Sequence, residues 1–483
     1  MKLVILVHLF LLMLTPASPS AWATDPNEDK EYPTISGIDF SRFPKAPDPK
    51  AKRAGRVLHV SPKGNDGGDG SEGRPFKGVA AAVGKAAAGD TVLLHAGTHP
   101  LDEPLMIETS DLRVAAAPGE AVTIAPANRD LHEGLNVRGD NVILDGFTID
   151  GFTGFGVMFW RTDRTQKNLV CANLVVKGAG DGFRSAYVEH TAKTPHLSGL
   201  LLFNVRIEDA TVVGFNVGEG PVTDIRLEKV SVRMKGAGSG SSGDDAIAVE
   251  SGDNIFIDHA DVTGAAADGI DLKATRVCVY NSVVHDVARN GVKFWKGGDL
   301  VNSLVYNTGA DASIVFGPGA YRILHTIVAF HARGGSAYAL TCAYDEPKDK
   351  TSLTIANSIF YRNAGAVWVS PATDLKIVNS LLTGAGNGCE LEAAQKSGDA
   401  ISVNGDGDWK ALEKKGVVAG ILPIAKPPQF VDAEKGDFRL KPGSPGIDAG
   451  AAGLEKYPPK DRSGAKRIQG GGPDLGPLET GTK

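Results

Sequence analysis

Cysteine is scarce: the 483 residues hold four, Cys171, Cys278, Cys342 and Cys389. None falls in a Cys-x-x-Cys spacing, which argues against a zinc cluster. Cys171 and Cys278 lie inside apolar strand-like stretches and read as small core residues. Disulfides are permitted outside the cell, but nothing in the spacing demands them. Excess charge is scarce as well. The formal net charge is −6, and no basic stripe argues for nucleic acid. Past the first two dozen residues, no segment reads as transmembrane. Turn formers, by contrast, abound, with 60 Gly and 27 Pro and no collagen period.

The first residues read as an address. Lys2 precedes the apolar run Leu3–Leu14, and Ala21-Trp22-Ala23 fits a small-residue cleavage site. The run is too short for a comfortable bilayer span. Residues 1–23 are therefore expected to be a signal peptide, and the mature chain to begin near Thr24, secreted to an extracellular or periplasmic space. Residues 24–55 are polar, Pro-rich and charged, and read as a tether. Residues 56–61 and 91–95 read as strands. Between them, Phe76 to Ala88 has the spacing of a short amphipathic helix, suited to cover the open end of a β stack.

One short strand then recurs: Asp245-Ala-Ile-Ala-Val249, Asp268-Gly-Ile-Asp-Leu272, Asn290-Gly-Val-Lys-Phe294 and Ala312-Ser-Ile-Val-Phe316, at steps of 23, 22 and 22 residues. Weaker copies start at Phe155, Asp181, Val213, Ser336 and Gly365. A second strand recurs in step and ends in Asn-Ser, at Asn281, Asn302, Asn357 and Asn379. Asparagine there fits a turn, because it tolerates left-handed backbone. A period near 22 with short strands means a solenoid, in which stacking buries the apolar face that one coil cannot bury alone. The Leu-x-x-Leu-x-Leu signature of a leucine-rich repeat is absent. The fold class is therefore all-β, a right-handed parallel β-helix with a short N-terminal capping helix. The helix with its cap is expected over residues 56–420, and a closing segment over 421–483.

Period-two alternation assigns Ile247, Ile270, Val292 and Ile314 to one buried row, and Val249, Leu272, Phe294 and Phe316 to another. The residue between them faces outward. Down the coils that column reads Met158, Arg184, Asn216, Ala248, Asp271, Lys293, Val315, Ala339 and Trp368, and the next outward column includes Trp160, Glu250, Lys273 and Trp295. Stacked strands lie about 4.8 Å apart, so Asp271 and Lys293 become neighbours, as do Asp245 and Asp268, with Asp244 beside them. Singly, an aspartate that opens a strand is a turn residue, and Asp271–Lys293 an ordinary ion pair. Together, several carboxylates on adjacent rungs repel one another unless a cation is present, and hard cations such as Ca²⁺ take six to eight oxygens.

These residues resemble the family-nine pectate lyases, calcium-dependent right-handed β-helix enzymes whose motif pairs Asp-Asp-Gly-x-Asp with Asn-Gly-x-Lys one coil on. The matching stretches are Ala267-Asp268-Gly269-Ile270-Asp271 and Asn290-Gly291-Val292-Lys293. Ala267 stands where the family has its first Asp. The resemblance implies a Ca²⁺ site at Asp244 or Asp245, Asp268 and Asp271, and Lys293 as the base that removes the proton alpha to a uronate carboxylate. Lys273, Trp295, Lys296, Glu250 and the more distant Arg184 are the expected substrate-binding residues. Lys293 beside Asp271 alone stays protonated, so this chemistry needs the metal.

Two other readings stay open. Gly243-Asp244-Asp245 resembles a strand of the polygalacturonase hydrolases, which use paired carboxylates. Their Asn-Thr-Asp and Gly-His-Gly partners have no counterpart here. A non-catalytic glycan-binding or structural β-helix is the third reading. The expected partner is an acidic, pectate-like polysaccharide, handled by a monomer with neither nucleic acid nor a membrane span once the signal is gone.

Overall fold

A strand that recurs every 22 residues can pair with its own copy one coil on, and it does so in parallel throughout. Ile247 pairs with Ile270, Ile270 with Val292, and Val292 with Ile314, all four wholly buried. The computed structural model describes residues 37–46, 54–187, 193–218, 220–236, 245–309, 312–331, 338–342, 351–363, 365, 367–369, 373–384, 391–394, 400–401, 410, 412–414, 418–419, 427–454 and 458–481. The expected signal peptide, Asp244, Cys389 and the strand start at Ser336 lie outside these residues.

The coils form a right-handed parallel β-helix with three sheets. The first runs from Leu105–Ile107 through Ile270 and Val292–Phe294 to Leu391–Ala394. The second begins at Val57–Val60 and the third at Gly97–Leu101. The strand Ile270–Tyr280 turns a corner between two sheets: its first residues pair with Val292–Phe294 and its last with Gly298–Val301.

The Asn-Ser repeat builds the next corner. Asn281, Asn302, Asn357 and Asn379 all adopt the left-handed region, with φ from 40° to 52°. The serine that follows donates to the carbonyl two residues back, at 2.8 Å for both Ser282 and Ser303. It also accepts an amide from the preceding coil, as Ser303 does from Ser282 at 3.1 Å. This satisfies backbone groups where the ladder breaks.

The glycine of the Asp-Gly and Asn-Gly strand openings has an architectural cause. A Cβ at Gly291 would collide with Val305 Cγ1 and come within 2.8 Å of the Ser313 carbonyl oxygen. Gly291→Ala is thus expected to destabilise the protein by about 1–3 kcal/mol through overpacking. A thermal unfolding midpoint equal to that of the wild type would show that the corner yields at no cost.

Three expectations need correction. The capping helix spans Val79–Lys85 and buries Val79, Ala82 and Val83, but it is shorter than Phe76 to Ala88. Asp66 holds the amides of Lys77 and Gly78 in a loop, at 2.9 and 2.7 Å, and Asp90 takes the amide of Ala87 at 2.9 Å. Residues 37–46, assigned to the tether by composition, instead strap the second sheet. Ile38 and Phe43 pack with Phe256, Cys278 and Tyr280, Phe40 meets Phe256 edge-on at 4.9 Å, and Arg42 pairs with Asp224 at 2.9 Å. Finally, Val315 pairs with Thr341 rather than Ala339, because the coil between them is 26 residues long rather than 24.

The segment after residue 427 covers the third sheet, burying Phe430, Phe438, Leu440 and Leu475 against Leu304, Ile327 and Ile359. No helix among the described residues is long and apolar enough to cross a membrane.

Candidate functional site

The ladder sets the site. Ala248 pairs with Asp271 and Asp271 with Lys293, which places the last two side by side on the outward face of the first sheet. Two residues before each buried isoleucine, Asp245 and Asp268 open their strands. They do act as turn residues. Asp245 Oδ1 accepts the amide of Asp268 at 2.9 Å, and Asp268 Oδ1 accepts the amide of Asn290 at 3.1 Å and its side-chain Nδ2 at 2.6 Å. Asn290 Oδ1 continues the chain of contacts to the amide of Ala312 at 3.1 Å. Each carboxylate therefore spends one oxygen on the rim of the sheet. Asp268 turns the other toward Lys293.

Lys293 Nζ lies 2.9 Å from Asp268 Oδ2 and 3.5 Å from Asp271 Oδ2, and 5.2 Å from the Trp295 ring centre. The Trp295 indole N–H donates to Asp271 Oδ1 at 2.7 Å. Trp295 thus orients a site carboxylate, a role that spacing alone did not suggest. The other lysine, Lys273, pairs with Glu250 and stands 3.7 Å from Asp271 Oδ2. Asp245, Asp268 and Asp271 offer oxygens within 4.8 Å of one another, the one such group of metal-ligating side chains among the described residues. The walls form a cleft of about 260 Å³, and Arg289 and Asn216 also line it. These two were missed: Arg289 ends an irregular connection, and Asn216 sits on a weak copy of the repeat.

Although they lie on the outward face, these groups are largely covered. The side chains of Asp268 and Asp271 are 3% and 4% exposed, and that of Lys293 is 14% exposed. Burial, followed by the charges of Asp268 and Asp271, pushes the Asp245 carboxyl up to about 7. Burial also raises Asp271, against the opposing pull of Lys293 and Lys273. For Lys293, burial works against the charged form, but Asp271, Asp268 and Asp245 outweigh it, and the ammonium is held above its ordinary pKa. Lys273 is raised in the same way, with Glu250 and then Asp271 overcoming burial.

The donor set fits a hard cation. Three carboxylates converge, each fixed through one oxygen to a protein N–H, and a bound cation would take its remaining oxygens from other sources. Ala267 adds no carboxylate, and its carbonyl accepts the Arg289 amide at 3.1 Å.

Two expected binding residues lie elsewhere. Arg184 is three rungs, about 14 Å, from Asp271. It pairs with Asp181 at 2.6 Å and rests 5.8 Å from the Phe155 ring centre. Lys296 follows the end of the strand Val292–Phe294, where the chain turns through Gly297 at φ 92°, and it lines a separate depression with Arg276 and Arg322.

No family model matches the chain. Uncharacterized protein YwoF of Bacillus subtilis (strain 168) is 31% identical over 96 residues, which span 20% of this chain and 17% of that relative's length. Among solved structures, pectate lyase Pel9A is similar over 88% of this chain and 96% of its own, at 16% identity and a TM-score of 0.44. XylC in complex with xylose is similar over 88% and 99%, at 13% identity and a TM-score of 0.47. Both scores lie below 0.5, and the architecture rests on the strand ladders themselves.

Proposed function

We propose that the chain is a secreted polysaccharide lyase that cleaves a uronate-containing, pectate-like polymer by calcium-assisted β-elimination. The observation that carries this reading is the Lys293 ammonium, 2.9 Å from Asp268 and 3.5 Å from Asp271 in a cleft where three carboxylates converge. Asp245, Asp268 and Asp271 would hold Ca²⁺, which when bound offsets the carboxylate charge that keeps Lys293 protonated and draws charge from the uronate carboxylate.

The chain's own part is positional. The side-chain Nδ2 and the backbone amide of Asn290 fix Asp268, and Trp295 fixes Asp271, so both carboxylates are held before substrate arrives. Glu250 keeps Lys273 charged at the edge of the cleft, where it can meet a uronate carboxylate. Lys293 Nζ accepts the proton alpha to that carboxylate. The electrons left behind form a carbon–carbon double bond as the bond to the 4-linked oxygen breaks, and the leaving oxygen takes a proton from solvent.

Geometry disfavours inverting hydrolysis. The carboxylate oxygens lie within 4.8 Å of one another, whereas inverting hydrolases separate theirs by about 6.5–9.5 Å to admit water. Product analysis on polygalacturonate and alginate separates the outcomes: unsaturated, ultraviolet-absorbing ends support the lyase, and new reducing ends without that absorbance overturn it. Binding without cleavage would leave a glycan-binding protein.

The pH profile gives a second check. Lys293 works deprotonated, and its carboxylate neighbours hold it above its ordinary pKa, so kcat/KM should rise with pH through the alkaline range. A maximum on the acid side, falling as Asp245 ionises near 7, would point to a carboxyl acid instead.

A further inference from the structure

The depression that holds Lys296 belongs to no part of the cleft. It lies around the corner on the second sheet, with a volume of about 490 Å³, and its main walls are Arg276, Lys296, Arg322, Tyr321, Ser352 and Thr354. Gly298 lines the floor, and its position is fixed from the interior side, where a Cβ would come within 3.0 Å of the Phe294 ring and collide with Val277. Tyr321 is locked beneath, its ring stacked on Phe316 at 4.3 Å and its hydroxyl donating to the Pro318 carbonyl at 3.2 Å.

The two guanidinium groups are rigidly held. Arg276 Nε donates to Asp253 at 2.8 Å, and a second nitrogen binds the same carboxylate. Arg322 grips Asp299 in the same two-pronged way, with Nε at 2.9 Å. Each pair is close to neutral and presents a fixed polar edge. Thr354 pairs with Arg322 on one side and Lys376 on the other, so hydroxyl and cation alternate down the helix axis. Lys296 stands exposed on the rim and brings a charge that neither Asp253 nor Asp299 is paired with. Near-neutral polar edges with hydroxyls suit a sugar ring, and one added cation suits a sugar that carries an acid.

The position links the depression to the cleft. Lys296 directly follows Trp295, whose indole binds Asp271. Lys273, in the cleft, and Arg276, in the depression, are three residues apart on the strand Ile270–Tyr280, about 10 Å along it. We infer that this depression is a second glycan subsite, which takes an anionic sugar unit of the same polymer beyond the units in the cleft, with Lys296 meeting its acid group. The inference rests on the reading of the cleft as a uronan site.

The test compares long and short substrates with full-length protein, calcium present. Polygalacturonate and alginate are set against trisaccharides of each, and wild type against Lys296→Glu and Thr354→Glu. Both side chains lie at the surface, and circular dichroism confirms folding. For each substituted protein, the polymer-to-trisaccharide ratio of kcat/KM should fall about tenfold, the size of one charge-assisted hydrogen bond. If wild type cleaves the polymer and both variants keep the wild-type ratio, the second subsite is wrong while the lyase reading stands. If wild type cleaves none of the four substrates, the lyase reading falls and takes the subsite with it.

Discussion

Lys293→Ala is expected to lower turnover on the cleaved uronan by about 10²- to 10⁴-fold, the usual contribution of a positioned general base. The side chain lies on the outward column and fills no part of the apolar interior, so the fold should survive, as circular dichroism would show. Lys293→Arg should fail nearly as badly, because a guanidinium stays protonated at any working pH. The internal control is Lys273. It is committed to Glu250, 36% exposed, and 3.7 Å from Asp271. Lys273→Ala is therefore expected to weaken substrate binding more than chemistry, raising KM with a smaller change in kcat. If Lys273→Ala is dead and Lys293→Ala retains wild-type turnover, the base is Lys273.

The second large effect concerns Asp268. This residue binds Asn290 through one oxygen and Lys293 through the other, so it joins the rim of the sheet to the cleft. Asp268→Ala should abolish calcium binding by calorimetry and reduce turnover to the level seen with excess chelator. It also strips a partner from the Asn290 amide and side chain, so some loss of stability is expected, about 1–3 kcal/mol for buried donors left unsatisfied. Asp268→Asn separates the two effects. It keeps an acceptor for Asn290 but removes the charge, so stability should recover while metal binding does not. Calcium binding by Asp268→Asn equal to that of wild type would show that the cation, if any, sits elsewhere.

Much of this arrangement is legible in the sequence, and the reason is periodicity. A repeat near 22 residues fixes which side chains stack, and alternation fixes which of them face out. Together these place Asp271 beside Lys293 without further information. The Asn-Ser corners were legible for the same reason. What periodicity cannot show is how deeply an outward residue is covered, or which atom it touches. The two-oxygen division of labour at Asp268 and the indole bond from Trp295 to Asp271 depend on rotamers and neighbours one coil away. The repeat also misleads where a coil changes length, as between Val315 and Thr341, and where a strand has already ended, as at Lys296. The strap at residues 37–46 escaped because three apolar side chains, Ile38, Phe40 and Phe43, do its packing inside a polar, Pro-rich stretch that composition reads as solvated.

In the proposed chemistry, Lys293 becomes a base only when calcium is held by Asp245, Asp268 and Asp271. The most direct test follows ultraviolet absorbance during digestion of polygalacturonate and alginate by the wild-type protein, first with calcium, then after excess chelator, then after calcium is restored. Absorbance is expected to rise on one of the polymers, to stop on chelation and to resume on restoration. A rise that continues undiminished in chelator, or no rise on either polymer with calcium present, would contradict it.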